Sequence, residues 1–122
     1  MLANAALTYQ NNKVNTAKPA ELTLMLYEGA IKFCNMAVIG MEEGDLSKAN
    51  LNIKKVERII THLRATLDFK YPVAKDFDRV YDYLFERLVT ANVRKDTSIL
   101  GEVLEHLRGM RDTWKEVMKL AR

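Results

Sequence analysis

Two histidines are the side chains in this sequence best suited to chemistry, and both lie in stretches with helical periodicity. His62 lies beside an apolar helical face, a position from which a histidine on a helical bundle could carry a phosphoryl group. Phosphotransfer domains resemble one another in having a lysine three residues after the histidine and a glycine at the fourth, whereas Ala65 and Thr66 occupy those positions here. A surface or interhelical histidine is therefore favoured, with a histidine phosphotransfer-type signalling bundle as the alternative.

The second histidine, His106, has no partner with the spacing of a metal site. Di-iron bundles place a glutamate and a histidine three residues apart on each of two helices. Glu102 precedes His106 by four residues and Glu57 precedes His62 by five, so we expect no metal and no cofactor. The single cysteine, Cys34, lies in an apolar stripe, which favours a buried structural thiol over a nucleophile.

No glycine-rich phosphate loop, serine nucleophile elbow or paired-carboxylate arrangement is visible in the sequence. The carboxylates are expected at solvated positions on helix faces. The sequence therefore gives no reason to expect an enzyme, and catalytic residues are predicted to be absent.

The composition is that of one soluble domain. The chain has 122 residues, of which 48% are hydrophobic and 29% charged, and its 5 Gly and 2 Pro are too few for a turn-rich all-β fold. The 19 basic and 16 acidic residues are interleaved, so the net charge of +3 does not indicate nucleic acid. Without a signal sequence or an apolar run of about 18–20 residues, we expect a cytoplasmic protein that does not insert into membranes.

Four stretches with helical periodicity follow a polar N-terminal segment. They run from about Pro19 to Glu43, Ser47 to Lys70, Ala74 to Val93, and Ser98 to the C-terminus. Long helices joined by short connections favour an antiparallel bundle. We predict an all-α, antiparallel four-helix bundle over residues 19–122. A flexible or short-helical N-terminal segment, residues 1–18, is expected to cover part of it.

Two of the stretches carry more apolar surface than a four-helix core requires. The first has an apolar stripe through Tyr27 and a second stripe on nearly the opposite side. The third has a narrow strip beside its core face, formed by Phe85, Val89 and Val93. The N-terminal segment could cover this surface, the chain could form a homodimer, or the surface could be a groove for an amphipathic partner helix.

Several segments resemble one family of proteins. Residues 9–33, from Tyr9 through Val14 and Pro19 to Phe33, resemble the signature of the flagellar secretion chaperones of the FliS family. The resemblance continues in residues 63–68, in residues 84–92 and in the segment 107–114, which ends at Trp114. It covers nearly the whole chain in the family's order.

The resemblance implies a mostly helical, cytoplasmic chaperone without chemistry of its own. Such proteins bind the disordered C-terminal segment of flagellin, prevent its premature polymerisation and deliver it to the flagellar type III export gate. The residues expected to contact flagellin are Tyr9, Val14, Leu22, Met25, Leu26, Phe33, Phe85, Val89 and Val93. The resemblance also implies that the segment around Tyr9 and Val14 lies over part of this surface and can be displaced.

Overall fold

A computed structural model describes residues 19–120 as a bundle of four helices. These are α1 (Pro19–Glu42), α2 (Leu46–Ala65), α3 (Val73–Arg94) and α4 (Thr97–Leu120). Helix α1 packs against α2 and α4, and α3 completes the ring by packing against α2 and α4. The prediction of an all-α, antiparallel four-helix bundle is confirmed. Residues 1–18, which were expected to cover it, lie outside the described range.

The core is a single cluster to which all four helices contribute. The spacing of three and four residues between apolar side chains puts them on one face of each helix, and these faces meet in the interior. The largest fully buried side chains include Ile53, Ile60, Leu84, Leu88, Leu100 and Leu107.

Helix α1 uses its two apolar stripes differently. Tyr27, Ile31 and Cys34, from the first stripe, are buried in the core. The second stripe, represented by Met25 and Phe33, is only half-buried. By length and composition alone α1 could cross a membrane, but helices at the core of soluble proteins meet the same criterion.

The starts of α2 and α4 are fixed by aspartate caps. The Asp45 carboxylate accepts a hydrogen bond from the Lys48 backbone N–H at 3.0 Å. The Asp96 carboxylate accepts one from the Ser98 backbone N–H at 2.8 Å, and this bond and that from the Ser98 hydroxyl lower the pKa of Asp96. Asp96 thus acts as the N-cap of α4.

Helix α2 is shorter than predicted, ending at Ala65 and not at Lys70. Polar side chains provide local hydrogen bonds that compete with the helical pattern. The Thr66 hydroxyl donates to the Leu63 carbonyl at 2.8 Å, and the Asp68 carboxylate accepts from the Lys70 backbone N–H at 3.0 Å. The chain therefore leaves the helix early, and residues 66–72 form a connection at one end of the bundle.

Helices α1 and α2 approach each other closely at Gly40. A Cβ atom at this position would lie 2.8 Å from the backbone nitrogen of Ala49 and 3.1 Å from the carbonyl oxygen of Asp45. Only glycine fits this contact without displacing backbone.

Candidate functional site

An apolar groove opens at the end of the bundle where the connection 66–72 lies. It consists of two adjoining cavities of about 230 Å³ and 760 Å³. Both cavities are lined by Tyr27 of α1, Val73 and Phe77 of α3, and Trp114 of α4. We call this region the terminal groove.

The polar groups of the aromatic side chains in the floor of the terminal groove form hydrogen bonds within the protein. The indole N–H of Trp114 donates to the Ala20 carbonyl at 2.8 Å. The hydroxyls of Tyr27 and Tyr81 share a hydrogen bond of 2.5 Å, and burial raises the pKa of both groups. The floor is therefore uncharged at neutral pH and suits apolar side chains.

The rim of the terminal groove also exposes apolar groups. Tyr71 and Val73 are 57% and 53% exposed, and Val117 on the facing side of α4 is 44% exposed. A cluster of exposed apolar side chains around a concave surface is typical of a protein-interaction site.

A second apolar surface lies along α3, where the sequence predicted a strip. Phe85 is half-buried, whereas Val89 and Val93 are 41% and 79% exposed. Phe85 also contributes to a cavity of about 320 Å³ between α2 and α3, whose other lining residues are Lys54, Glu57, Arg58 and Thr61. We call Phe85, Val89 and Val93 the α3 strip.

The predicted face on α1 is less open than the α3 strip. Leu22, Met25, Leu26 and Phe33 are all half-buried, and none of them lines the three cavities described above. The ammonium group of Lys55 lies 4.9 Å from the centre of the Phe33 ring. The α1 face and the α3 strip thus do not meet in any of these three cavities, and Tyr9 and Val14 lie outside the described residues.

Sequence reasoning missed the terminal groove. Tyr27, Phe77 and Trp114 lie on the core-facing sides of their helices, where apolar spacing of three and four residues places core residues. They line a groove because α2 stops at Ala65 and does not extend over this end of the bundle. The sequence feature that could have indicated the groove is the pair of apolar residues, Tyr71 and Val73, on either side of Pro72.

The side chains considered for chemistry are not gathered into a site. His62 is exposed on the last turn of α2, and the His106 ring lies edge-on to Tyr83 with 6.0 Å between ring centres. Within residues 19–120, no three His, Cys, Asp or Glu side chains are grouped to hold a metal ion. Cys34 is buried, and burial raises the pKa of its thiol to about 12.

One carboxylate departs from its expected solvated position. Glu57, on the side of α2 that faces the cavity beside Phe85, is only 6% exposed. The expectation that the carboxylates lie on solvated faces is therefore wrong at Glu57.

Comparison with known proteins identifies the family. A family model described as flagellar protein FliS matches residues 2–121 of the chain. The chain belongs to the FliS family. A flagellar secretion chaperone FliS from Bacillus subtilis is 40% identical over 99% of this chain and 91% of its own length. FliS from Salmonella typhimurium is 32% identical over 85% of this chain and 79% of its own. FliSB from Pseudomonas aeruginosa is 34% identical over 84% of this chain and 82% of its own length.

The FliS family is a non-enzymatic chaperone family. The residues that suggested the family hold helices together. Arg64 pairs with Asp78 at 2.9 Å and with Asp82 at 3.3 Å, which joins α2 to α3. Trp114 ties α4 to the first turn of α1 through the hydrogen bond to Ala20.

Proposed function

We propose that this FliS family member is a cytoplasmic export chaperone for flagellin. It binds the disordered C-terminal segment of flagellin, prevents premature polymerisation and delivers flagellin to the flagellar type III export gate, without catalysing a reaction. The observation that carries the proposal is the presence of two open apolar surfaces, the terminal groove and the α3 strip, on a chain of this family.

The two surfaces lie between different helix pairs. The larger cavity of the terminal groove opens between α3 and α4, whereas the cavity beside the α3 strip opens between α2 and α3. One straight helix cannot lie in both, so a segment that uses both surfaces must wrap around α3. A disordered client can do this, since it orders only on binding and spreads its contacts over a large area.

The N-terminal segment is proposed to share the client's surface. Helix α1 begins at Pro19, and the Ala20 carbonyl accepts a hydrogen bond from Trp114 in the floor of the terminal groove, so the first described residues lie beside this groove. We assign Tyr9 and Val14 to a segment that covers the groove or the neighbouring α1 face in the free chaperone. A client must displace it, which lowers the apparent affinity by the fraction of time that it is docked.

The proposal is tested with two forms of flagellin, the full-length protein and one that lacks its C-terminal segment. Size-exclusion chromatography of each form mixed with this chain should give a complex with the full-length protein only. The chain should also slow polymerisation of full-length flagellin. Equal binding of both forms would show that the chain binds another part of flagellin. Absence of binding to either form would refute the proposal.

A further inference from the structure

The buried carboxylate of Glu57 has an unused hydrogen-bond acceptor. Its Oε1 lies 3.5 Å from the Lys54 ammonium, which is an ion-pair distance. Its Oε2 is buried and has no hydrogen-bond partner among residues 19–120. A buried polar atom without a partner costs more than an exposed one, because it has lost water without gaining a protein hydrogen bond.

Glu57 lines the 320 Å³ cavity between α2 and α3, together with Lys54, Arg58, Thr61 and Phe85. Phe85 also begins the α3 strip, so the polar cavity and the apolar strip are continuous. A segment lying along the strip can therefore place one side chain in the cavity.

The lining of the cavity limits which side chain fits. The Glu57 carboxylate can bond only to a donor, whereas the exposed cations of Lys54 and Arg58 favour an acceptor and disfavour a second cation. A side-chain amide provides the NH₂ donors and the carbonyl acceptor in one neutral group. The backbone of a docked helix cannot replace it, since the N–H groups of a helix interior are bonded within the helix.

We propose that Glu57 is a specificity-determining anchor that accepts a hydrogen bond from an asparagine or glutamine side chain of the bound client segment. Apolar residues of the same segment cover the α3 strip. The inference rests on the proposed function, because the occupant is the flagellin segment that this function assigns to the surface.

A second buried polar residue of α2, Asn52, differs from Glu57 in its position relative to the cavities. Asn52, also on α2, has an Oδ1 atom without a partner among the described residues, but its Nδ2 donates to the Lys48 carbonyl at 2.9 Å. Asn52 lines none of the three cavities described above, whereas Glu57 lines one of them.

The test measures binding and stability together for Glu57→Met, Glu57→Gln and the exposed control Glu28→Met. Titration calorimetry with the flagellin C-terminal segment should show affinity reduced about tenfold or more for Glu57→Met, because a hydrogen bond to a charged group is lost. The loss should be smaller for Glu57→Gln, which keeps one carbonyl acceptor, and absent for the control. The thermal midpoint of free Glu57→Met should be unchanged or higher, since a buried polar atom without a partner has been removed.

The client side is tested by replacing each asparagine of the segment with leucine and each glutamine with methionine. One of these changes should weaken binding to the wild-type chain, cause a smaller further loss in Glu57→Gln and cause none in Glu57→Met. If Glu57→Met does not fold, the reduced loss in the Gln variant tests the anchor. Three results would overturn the anchor alone. The Glu57 variants could bind with unchanged affinity, their loss of affinity could be matched by a lower thermal midpoint, or the coupling could involve only a lysine or arginine of the segment. Failure of the wild-type chain to bind the segment would overturn the proposed function and the anchor with it.

Discussion

Val89 and Val93 are the exposed side chains through which the α3 strip can be tested residue by residue. We expect the double variant Val89→Asp and Val93→Asp to keep its stability within about 0.5 kcal/mol, because both sites are on the surface. Its affinity for the flagellin C-terminal segment should fall at least tenfold, because a docked apolar segment would have to desolvate two charges. Calorimetry measures the affinity, and thermal unfolding measures the stability.

A matched control for this experiment is the double variant Ile39→Asp and Leu46→Asp. These residues are 43% and 52% exposed, lie on α1 and α2, and line neither the terminal groove nor the α3 strip. The same charge is thus added outside the proposed surface, and binding should be unchanged. If both double variants weaken binding equally, the effect is one of net charge and the strip is not the contact surface.

Cys34 provides a check on core packing at the residue scale. Burial raises the pKa of its thiol from 9.0 to about 12. Because the pKa is raised in the folded state, the stabilisation by the bound proton is complete below pH 9 and is lost as the pH rises from 9 towards 12. At pH 8 a thiol reagent should label the native protein far more slowly than the chain unfolded in guanidinium. Equal labelling rates would show that the thiol is accessible in the folded bundle.

At the scale of elements, the contact between α1 and α2 depends on Gly40. We expect Gly40→Ala to destabilise the protein by about 1–3 kcal/mol, because the added methyl group meets the backbone of Ala49. Gly101→Ala on α4 is the control, since a Cβ there has nothing within 4 Å, and it should stabilise by about 0.5–1 kcal/mol through helix propensity. Denaturant unfolding measures both changes. Similar effects of the two substitutions would contradict the close approach of the helices.

The helices were predictable from sequence because apolar spacing of three and four residues directly determines a helical face. Ile53, Leu84 and Leu107 lie at such spacings along α2, α3 and α4, and all three are fully buried. The end of α2 was not predictable from that spacing. Leu67 continues the periodic pattern beyond Ala65, whereas the local bonds of Thr66 and Asp68 end the helix.

The candidate site was predictable only in part, because apolar spacing defines a face of one helix and not how helices end or pack. The α3 strip could be recognised as surplus apolar surface on a single helix. The terminal groove depends on where α2 stops, and the burial of Glu57 depends on how α2 and α3 pack, so neither follows from the pattern of one helix.

At the scale of the whole molecule, the N-terminal segment is expected to compete with the client. Deletion of residues 1–17 should raise binding of a hydrophobic dye or promote self-association, because apolar surface beside Pro19 becomes uncovered. The affinity for flagellin rises if competition dominates, and it falls if Tyr9 or Val14 also contacts the bound client. Unchanged dye binding, oligomeric state and flagellin affinity would show that the segment covers nothing.

If the terminal groove receives the flagellin C-terminal segment, Trp114 reports on this binding directly. It is the single tryptophan of the chain and lines both cavities of the groove. A fluorescence titration with a tryptophan-free C-terminal segment should produce a saturable shift of Trp114 emission with the same midpoint as calorimetric binding. A segment of equal length from the middle of flagellin should produce none. Calorimetric binding of the C-terminal segment with unchanged Trp114 emission would contradict the account.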